Sequence, residues 1–467
     1  SQCGLGQITN HNHTKITANP KTLRCCSTHA VGSEPFVDPM EILNVLKCRL
    51  EIVDDTVSSQ QLVDQLICDA PEEPLLHLTE LDCVVKRHYD WLRNLPRVRP
   101  YYTVGSNDDV RIIGTTALLD CGYVCSSKVE VLKVLEFRVD PGVILLERVG
   151  RNAELLRFAR RKDVRVVFDS EEELRMIHQY FPEAEALIRF RLSQDVQSGC
   201  QADGEARELL NLAKELNMDV IGWCYNAGSF CCDPAIFYTA ISKGREITDH
   251  ATIVGFNFKF INLGVGVCGQ KDVQGQRYAS CINRALEDYF PERRGWTIAA
   301  EVGSFHSAAA VTAIAAIRGK RIFWNQRHPS RIDQVFYYVS GRVGRTSHSL
   351  IHASDPACPI VWKDRDECGV ECRTTLYEAG SDECICKDLQ LPELNENDFM
   401  VFESQGNFAR RTSKATEGIV YPITLVYIRR SMWEFLKYLS ESRFPRELIL
   451  GSRFLKNAWK LEELERS

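Results

Sequence analysis

Between Pro100 and Glu301, eight short apolar runs alternate with amphipathic stretches, and this alternation limits the chain to very few folds. The runs are Pro100–Val104, Gly122–Cys125, Gly142–Glu147, Val164–Phe168, Ala186–Leu192, Met218–Tyr225, Lys259–Gly264 and Trp296–Glu301. Between them, stretches such as Lys128–Leu135, Ala153–Arg161, Glu171–Tyr180 and Glu205–Leu216 carry apolar residues at three- and four-residue spacing, the pattern of helices with one buried face. Eight strand and helix pairs in about 200 residues predict an α/β fold, a closed (β/α)8 TIM-like barrel rather than an open sheet.

After Ser307 the pattern turns β-rich, with runs at Arg321–Trp324, Gln334–Val339, Pro359–Val361, Phe399–Glu403 and Val420–Tyr427. The expected layout is a flexible tail over 1–34, an N-terminal segment over 35–78 that packs on the β-domain, the barrel over 79–307, a β-domain over 308–445 and a helical tail over 446–467. A length of 467 residues accommodates two such domains. The formal charge of −6 gives no global reason to expect nucleic acid or an anionic membrane, so any electropositive function must be local. No apolar run is long enough to span a bilayer, and 19 scattered cysteines, an odd number, argue against a secreted disulfide framework. A cytoplasmic protein is expected, in which Asn12-His13-Thr14 has no meaning as a glycosylation acceptor.

Leu95-Pro96-Arg97-Val98-Arg99-Pro100-Tyr101-Tyr102-Thr103-Val104-Gly105-Ser106-Asn107 resembles the first barrel strand of eukaryotic ornithine decarboxylases and their inactive relatives, the antizyme inhibitors. Similar blocks follow in the same order, among them Phe168-Asp169-Ser170-Glu171-Glu172-Glu173-Leu174, Ala213-Lys214-Glu215-Leu216, Tyr289-Phe290-Pro291, Ala300-Glu301-Val302-Gly303 and Leu391-Pro392-Glu393. The resemblance implies a barrel joined to a β-domain of the alanine racemase and ornithine decarboxylase type. It also implies pyridoxal phosphate chemistry at composite dimer sites.

That chemistry needs a lysine amine to hold the cofactor as a Schiff base. The position matching the family's lysine is Gly105, which has no side chain. The arginine expected after Glu301-Val302-Gly303, which would help neutralise the phosphate, is Ser304. The stacking histidine matches Asn226, a ring-contacting aspartate matches Val124, a substrate aspartate matches Ala353 and a substrate-site tyrosine matches Phe408. The reactive cysteine matches either Ala379 or Cys384. Vestigial cofactor positions remain at Arg189, Ser229, Gly264, Gly266, Glu301 and Gly303. For Arg189 and Glu301, a role as satisfied barrel-interior charges is an equal explanation. The expectation is a pseudoenzyme without an intact catalytic residue, with pyridoxal phosphate binding lost.

The resemblance also implies a surface that could outlive the chemistry. In the family, antizyme contacts the helix and strand after the third barrel strand, matched here by 151–174. Within 151–165 the basic residues Arg151, Arg157, Arg160, Arg161, Lys162 and Arg165 outnumber the acidic Glu154 and Asp163, a net charge of +4. On a helix Arg157, Arg160 and Arg161 share a face opposite Leu155, Leu156 and Ala159. The expected partner is antizyme or another acidic protein. The alternatives are a non-catalytic subunit paired with an active decarboxylase paralogue, and a barrel enzyme with changed chemistry. No metal site is expected, since Cys358, Cys368, Cys372, Cys384 and Cys386 lack the paired spacing of zinc knuckles.

Overall fold

The structure, a computed structural model, describes residues 39–70, 75–148, 152–228, 233–264, 273–292, 295–328, 330–340, 359–362, 371–380, 384–396, 398–406 and 422–441. Both expected tails, 1–34 and 446–467, lie outside the described residues.

Eight parallel strands form a closed barrel: β1 (Arg99–Thr103), β2 (Gly122–Cys125), β3 (Ile144–Leu146), β4 (Arg165–Phe168), β5 (Glu185–Arg191), β6 (Asp219–Tyr225), β7 (Phe260–Asn262) and β8 (Thr297–Glu301). The pairing of β4 with β5 and of β8 with β1 completes the ring. Each of the eight barrel strands expected from the sequence falls within two residues of an observed one, whereas the run read as Arg321–Trp324 is the end of a longer strand, Val311–Trp324. The crossovers after β6 and β7 carry the long helices Ala235–Val254 and Val273–Tyr289.

Side chains in a strand alternate between faces, so one residue in two points into the barrel. Tyr101, Val124, Leu145, Val167, Leu187, Ile221, Cys224, Phe260 and Ala299 fill its interior as one apolar cluster to which all eight strands contribute. Their outward neighbours, such as Tyr102, Tyr123, Val166, Ile188 and Ala300, belong to the larger cluster between the strands and the surrounding helices. The barrel is therefore plugged at its waist, and a ligand site is open only at an end.

A second sheet is built around the long strand Val311–Trp324. Its first half pairs antiparallel with Leu75–Glu80 and Phe399–Phe402, and its second half with Ile332–Val339. Leu75–Glu80 also pairs in parallel with Ile423–Arg429, so chain preceding the barrel is woven into this sheet. Two strands not anticipated from the sequence, Glu371–Glu378 and Cys384–Pro392, extend it. The helix Arg430–Glu441, expected within the β-domain, instead buries Met432, Trp433, Phe435, Leu436 and Leu439 in the cluster that surrounds the barrel. Among the described residues no helix is long and apolar enough to cross a membrane.

Candidate functional site

The period of two that builds the apolar plug also selects the side chains above it. Two residues beyond Tyr101, Leu145, Val167, Leu187, Phe260 and Ala299 stand Thr103, Glu147, Asp169, Arg189, Asn262 and Glu301, at the carboxyl ends of their strands. That is the end where (β/α)8 barrels place their sites. The sequence had yielded Arg189 and Glu301; the other four follow from the same alternation once the plug is known.

Five of these groups bond in two sets, Arg189 with Glu147, and Glu301 with Asn262 and Thr103. Arg189 donates through Nη2 to Glu147 Oε2 in a short charge-assisted bond, with both side chains at most 15% exposed. Glu301 accepts from Asn262 Nδ2 at 3.1 Å and from Thr103 Oγ1 at 3.2 Å. Burial, and next the charge of Glu147, push the Glu301 carboxyl up to about 7, against the pull of Arg189, Asn262 and Thr103. Burial opposes the charge of Arg189, but Glu147 and further groups, Glu301 and Asp169 among them, outweigh it and hold the guanidinium protonated. Asp169 accepts from the backbone N–H of Gly199 at 2.7 Å, pinning the loop after β5 across this end. A polar cavity of about 180 Å³ remains beside it, lined by Arg148, Asp169, Glu173, Arg189, Gln197 and Ser198. That lies below the roughly 300 Å³ at which small-molecule pockets begin.

Of the described positions read as degenerate, Gly105, Asn226 and Ser304 follow the carboxyl ends of their strands. Gly105 occupies a single 3-10 turn, Val104–Ser106, between two buried neighbours at the end of β1. Asn226 spends its amide on the loops: Nδ2 donates to Ser198 O at 3.0 Å and Oδ1 accepts from Gly228 N at 3.0 Å. Ser304 lies in the five-residue helix Gly303–Ser307 after β8 and carries no charge. Val124 is part of the apolar plug. Ala353, Phe408, Ser229 and Gly266 lie outside the described residues.

The surviving glycines have steric accounts of their own. A Cβ on Gly303 would stand 2.3 Å from Ser106 Oγ and 2.8 Å from Thr103 O, so only glycine lets this helix close on the end of β1. Gly264 has φ +72°, and a Cβ there would meet Tyr225 O at 1.9 Å. Both would be required with or without a phosphate.

The basic helix spans Ala153–Lys162 and starts at Asn152, whose side chain accepts from Leu155 N. It ends at Asp163 in the left-handed conformation, φ 54°. Leu155, Leu156, Phe158 and Ala159 are buried, while Arg157, Arg160, Arg161 and Lys162 are exposed. Two of those four are already engaged: Arg157 lies over the Tyr180 ring at 4.7 Å, and Arg160 pairs with Glu183 at 2.5 Å. Arg165 does not join the patch. Standing two residues before Val167, it points to the barrel floor, pairs with Glu185 at 2.7 Å and lies over Phe260. Arg151 lies outside the described residues. Among the described residues Arg161 and Lys162 remain as exposed cations with no recorded pair.

Residues 81–308 match the family model for the pyridoxal binding domain of pyridoxal-dependent decarboxylases. Ornithine decarboxylase of Rattus norvegicus is 29% identical over 418 residues, 85% of this chain and 90% of the rat protein. Antizyme inhibitor 2 of Xenopus laevis is 26% identical over 407 residues, 83% of this chain and 89% of that protein. Among solved structures, the arginine decarboxylase of Paramecium bursaria Chlorella virus bound to agmatine superposes with a TM-score of 0.70 at 26% identity, over 79% of this chain and 99% of the viral one.

Proposed function

The chain belongs to the family of ornithine decarboxylases and antizyme inhibitors, and from that premise we propose that it is a catalytically silent member that regulates polyamine metabolism by binding a protein. The observation that carries this reading is Gly105. At the end of β1, where the family's lysine would form its Schiff base, there is no amine. Around it the residues do not fit pyridoxal phosphate either: Ser304 supplies no cation, Asn226 is tied to the loops and Arg189 is committed to Glu147.

The proposed partner is antizyme, in keeping with the name of the similar Xenopus protein, and the proposed surface is the exposed face of Ala153–Lys162. Arg161 and Lys162 are its strongest anchors, because Arg157 and Arg160 must first release Tyr180 and Glu183. Both anchors lie in the last helical turn, where the backbone dipole favours cations, so they are held in place without a partner. Arginine suits bidentate recognition of carboxylates.

Two experiments test the two halves of the proposal. Purified protein incubated with pyridoxal phosphate and borohydride is expected to fix no cofactor, and a Gly105→Lys variant to remain without decarboxylase activity because Ser304, Asn226 and Ala353 are unchanged. A lysine-linked cofactor in the native chain would sink the silent reading. Arg161→Glu with Lys162→Glu is expected to weaken antizyme capture at least tenfold in a pull-down, with Arg160→Glu weaker in effect. Unchanged capture would remove this helix as the interface.

A further inference from the structure

Outside the barrel wall, three residues far apart in sequence converge on one point. His88 lies on the helix Leu81–Asn94, Cys121 directly precedes β2, and His306 lies on the helix Gly303–Ser307. They are 3%, 2% and 0% exposed. One ligand atom from each lies within 4.8 Å of the others, and among the described residues no other group of histidine, cysteine and carboxylate side chains gathers so closely. The Sγ of Cys121 stands 3.5 Å from Nδ1 of His88. The two imidazoles are 5.6 Å apart between ring centres, with Tyr89, Tyr102 and Phe305 packed against them.

His306 also carries an unspent acceptor. Its Nδ1 faces the Val302 carbonyl at 3.1 Å, and since a carbonyl only accepts, the ring proton sits on Nδ1. Nε2 is therefore a bare acceptor, and it is buried without a hydrogen-bond partner. Leaving such a group unsatisfied costs roughly 1–3 kcal/mol. A backbone carbonyl held by Nδ1 with Nε2 left open is how metal-binding histidines are set. Burial also keeps the ring neutral, its pKa pushed down to about 4, so the lone pair stays available.

Atoms no more than 4.8 Å apart share a centre about 2.8 Å from each. Imidazole and thiolate bonds to a metal of this kind run about 2.0–2.3 Å. A contraction of about half an ångström would complete them. We propose that His88, Cys121 and His306 form a buried three-coordinate site for a soft monovalent metal ion, of which Cu(I) is the natural probe. Thiolate and imidazole together select soft ions. The charge decides between them. Cys121 is a thiol here, raised to about 12 by burial, and on binding it would release its proton to solvent as the ion takes its place. Thiolate with a monovalent ion is neutral. Zn(II) would leave a net positive charge among buried side chains where His306 already feels Arg87, and it would want a fourth donor that no described histidine, cysteine or carboxylate supplies. Such an ion would clamp the short helix carrying Ser304 to the outer wall of the barrel.

The test uses the full chain, reduced and metal-free, in anaerobic competition with a chromophoric Cu(I) chelator, with a parallel Zn(II) arm. Cys121→Ser changes one atom, and His306→Asn can keep a donor for Val302 O while removing Nε2. Wild type is expected to retain one more equivalent of Cu(I) than either variant. X-ray absorption of that equivalent is expected to show one sulfur and two nitrogen neighbours, a readout that stands even if a variant fails to fold. Equal uptake by folded variants and wild type, or an all-sulfur shell, overturns the site. An extra equivalent seen with Zn(II) alone overturns the monovalent assignment.

Discussion

The mouth of the barrel divides into a strand-borne layer and a loop-borne rim, and the two have fared differently. The strand-borne layer matches the resemblance at Glu301 and Arg189, and its side chains bond in two sets, Arg189 with Glu147 and Glu301 with Asn262 and Thr103. At the loop-borne positions Gly105, Asn226 and Ser304 there is no amine, imidazole or guanidinium of the kind the resemblance implies there. The difference shows that a residue kept at a former ligand site need not be kept for the ligand. Arg189 and Glu147 lie too deep for either to lose its partner cheaply, whereas a rim residue faces a loop that can supply new bonds, as Ser198 and Gly228 do for Asn226.

If that contrast is right, the largest effect belongs to the strand layer. Arg189→Met leaves Glu147 only the exposed Arg148 at 3.8 Å and is expected to cost about 3–5 kcal/mol in urea unfolding; a cost below 1 kcal/mol would mean the Arg189 pair holds nothing together. Next comes Gly303→Ala, at the joint between layer and rim. Its Cβ meets Ser106 and the Thr103 backbone, and a loss of roughly 1–3 kcal/mol is expected. A neutral result would return this glycine to the phosphate as its reason for being there.

Glu301→Gln should act in the opposite direction at high pH. The folded carboxyl titrates near 7, above its usual 4.5, so the native state holds a proton that the unfolded chain has already lost between those values. Stability therefore falls as pH rises through that window and stays lowered above it. The amide cannot ionise, so the variant should be more stable than wild type at pH 8 by about 1–2 kcal/mol and should lose the advantage by pH 4.5. Thermal melts across that range check both the sign and the window. The smallest effect is expected at the rim, where Ser304→Arg should change stability by no more than about 0.5 kcal/mol. A large loss there would erase the distinction between layer and rim.

The barrel was legible because short apolar runs and three- to four-residue periods are written locally, and all eight strands and the helix Ala153–Lys162 follow from them. The strands Glu371–Glu378 and Cys384–Pro392 were not, because their cysteines and charges obscure any alternation. Arg165 is a related case. A run of basic residues looks continuous in sequence, but the chain turns from helix to strand at Asp163, and Arg165 spends its charge on Glu185 and the Phe260 ring at the barrel floor.

The sequence by itself determined that no Schiff base can form at position 105, since the absence of an amine is a covalent fact that no fold can repair. The family follows from the sequence for a similar reason, as ordered blocks survive where single residues do not. Only the tertiary structure decided that Arg189 is neutralised by Glu147, that Gly303 is needed by Ser106, and that His88, Cys121 and His306 meet. These are pairings between distant segments, and their distances exist only once the ring of strands has closed and set its register.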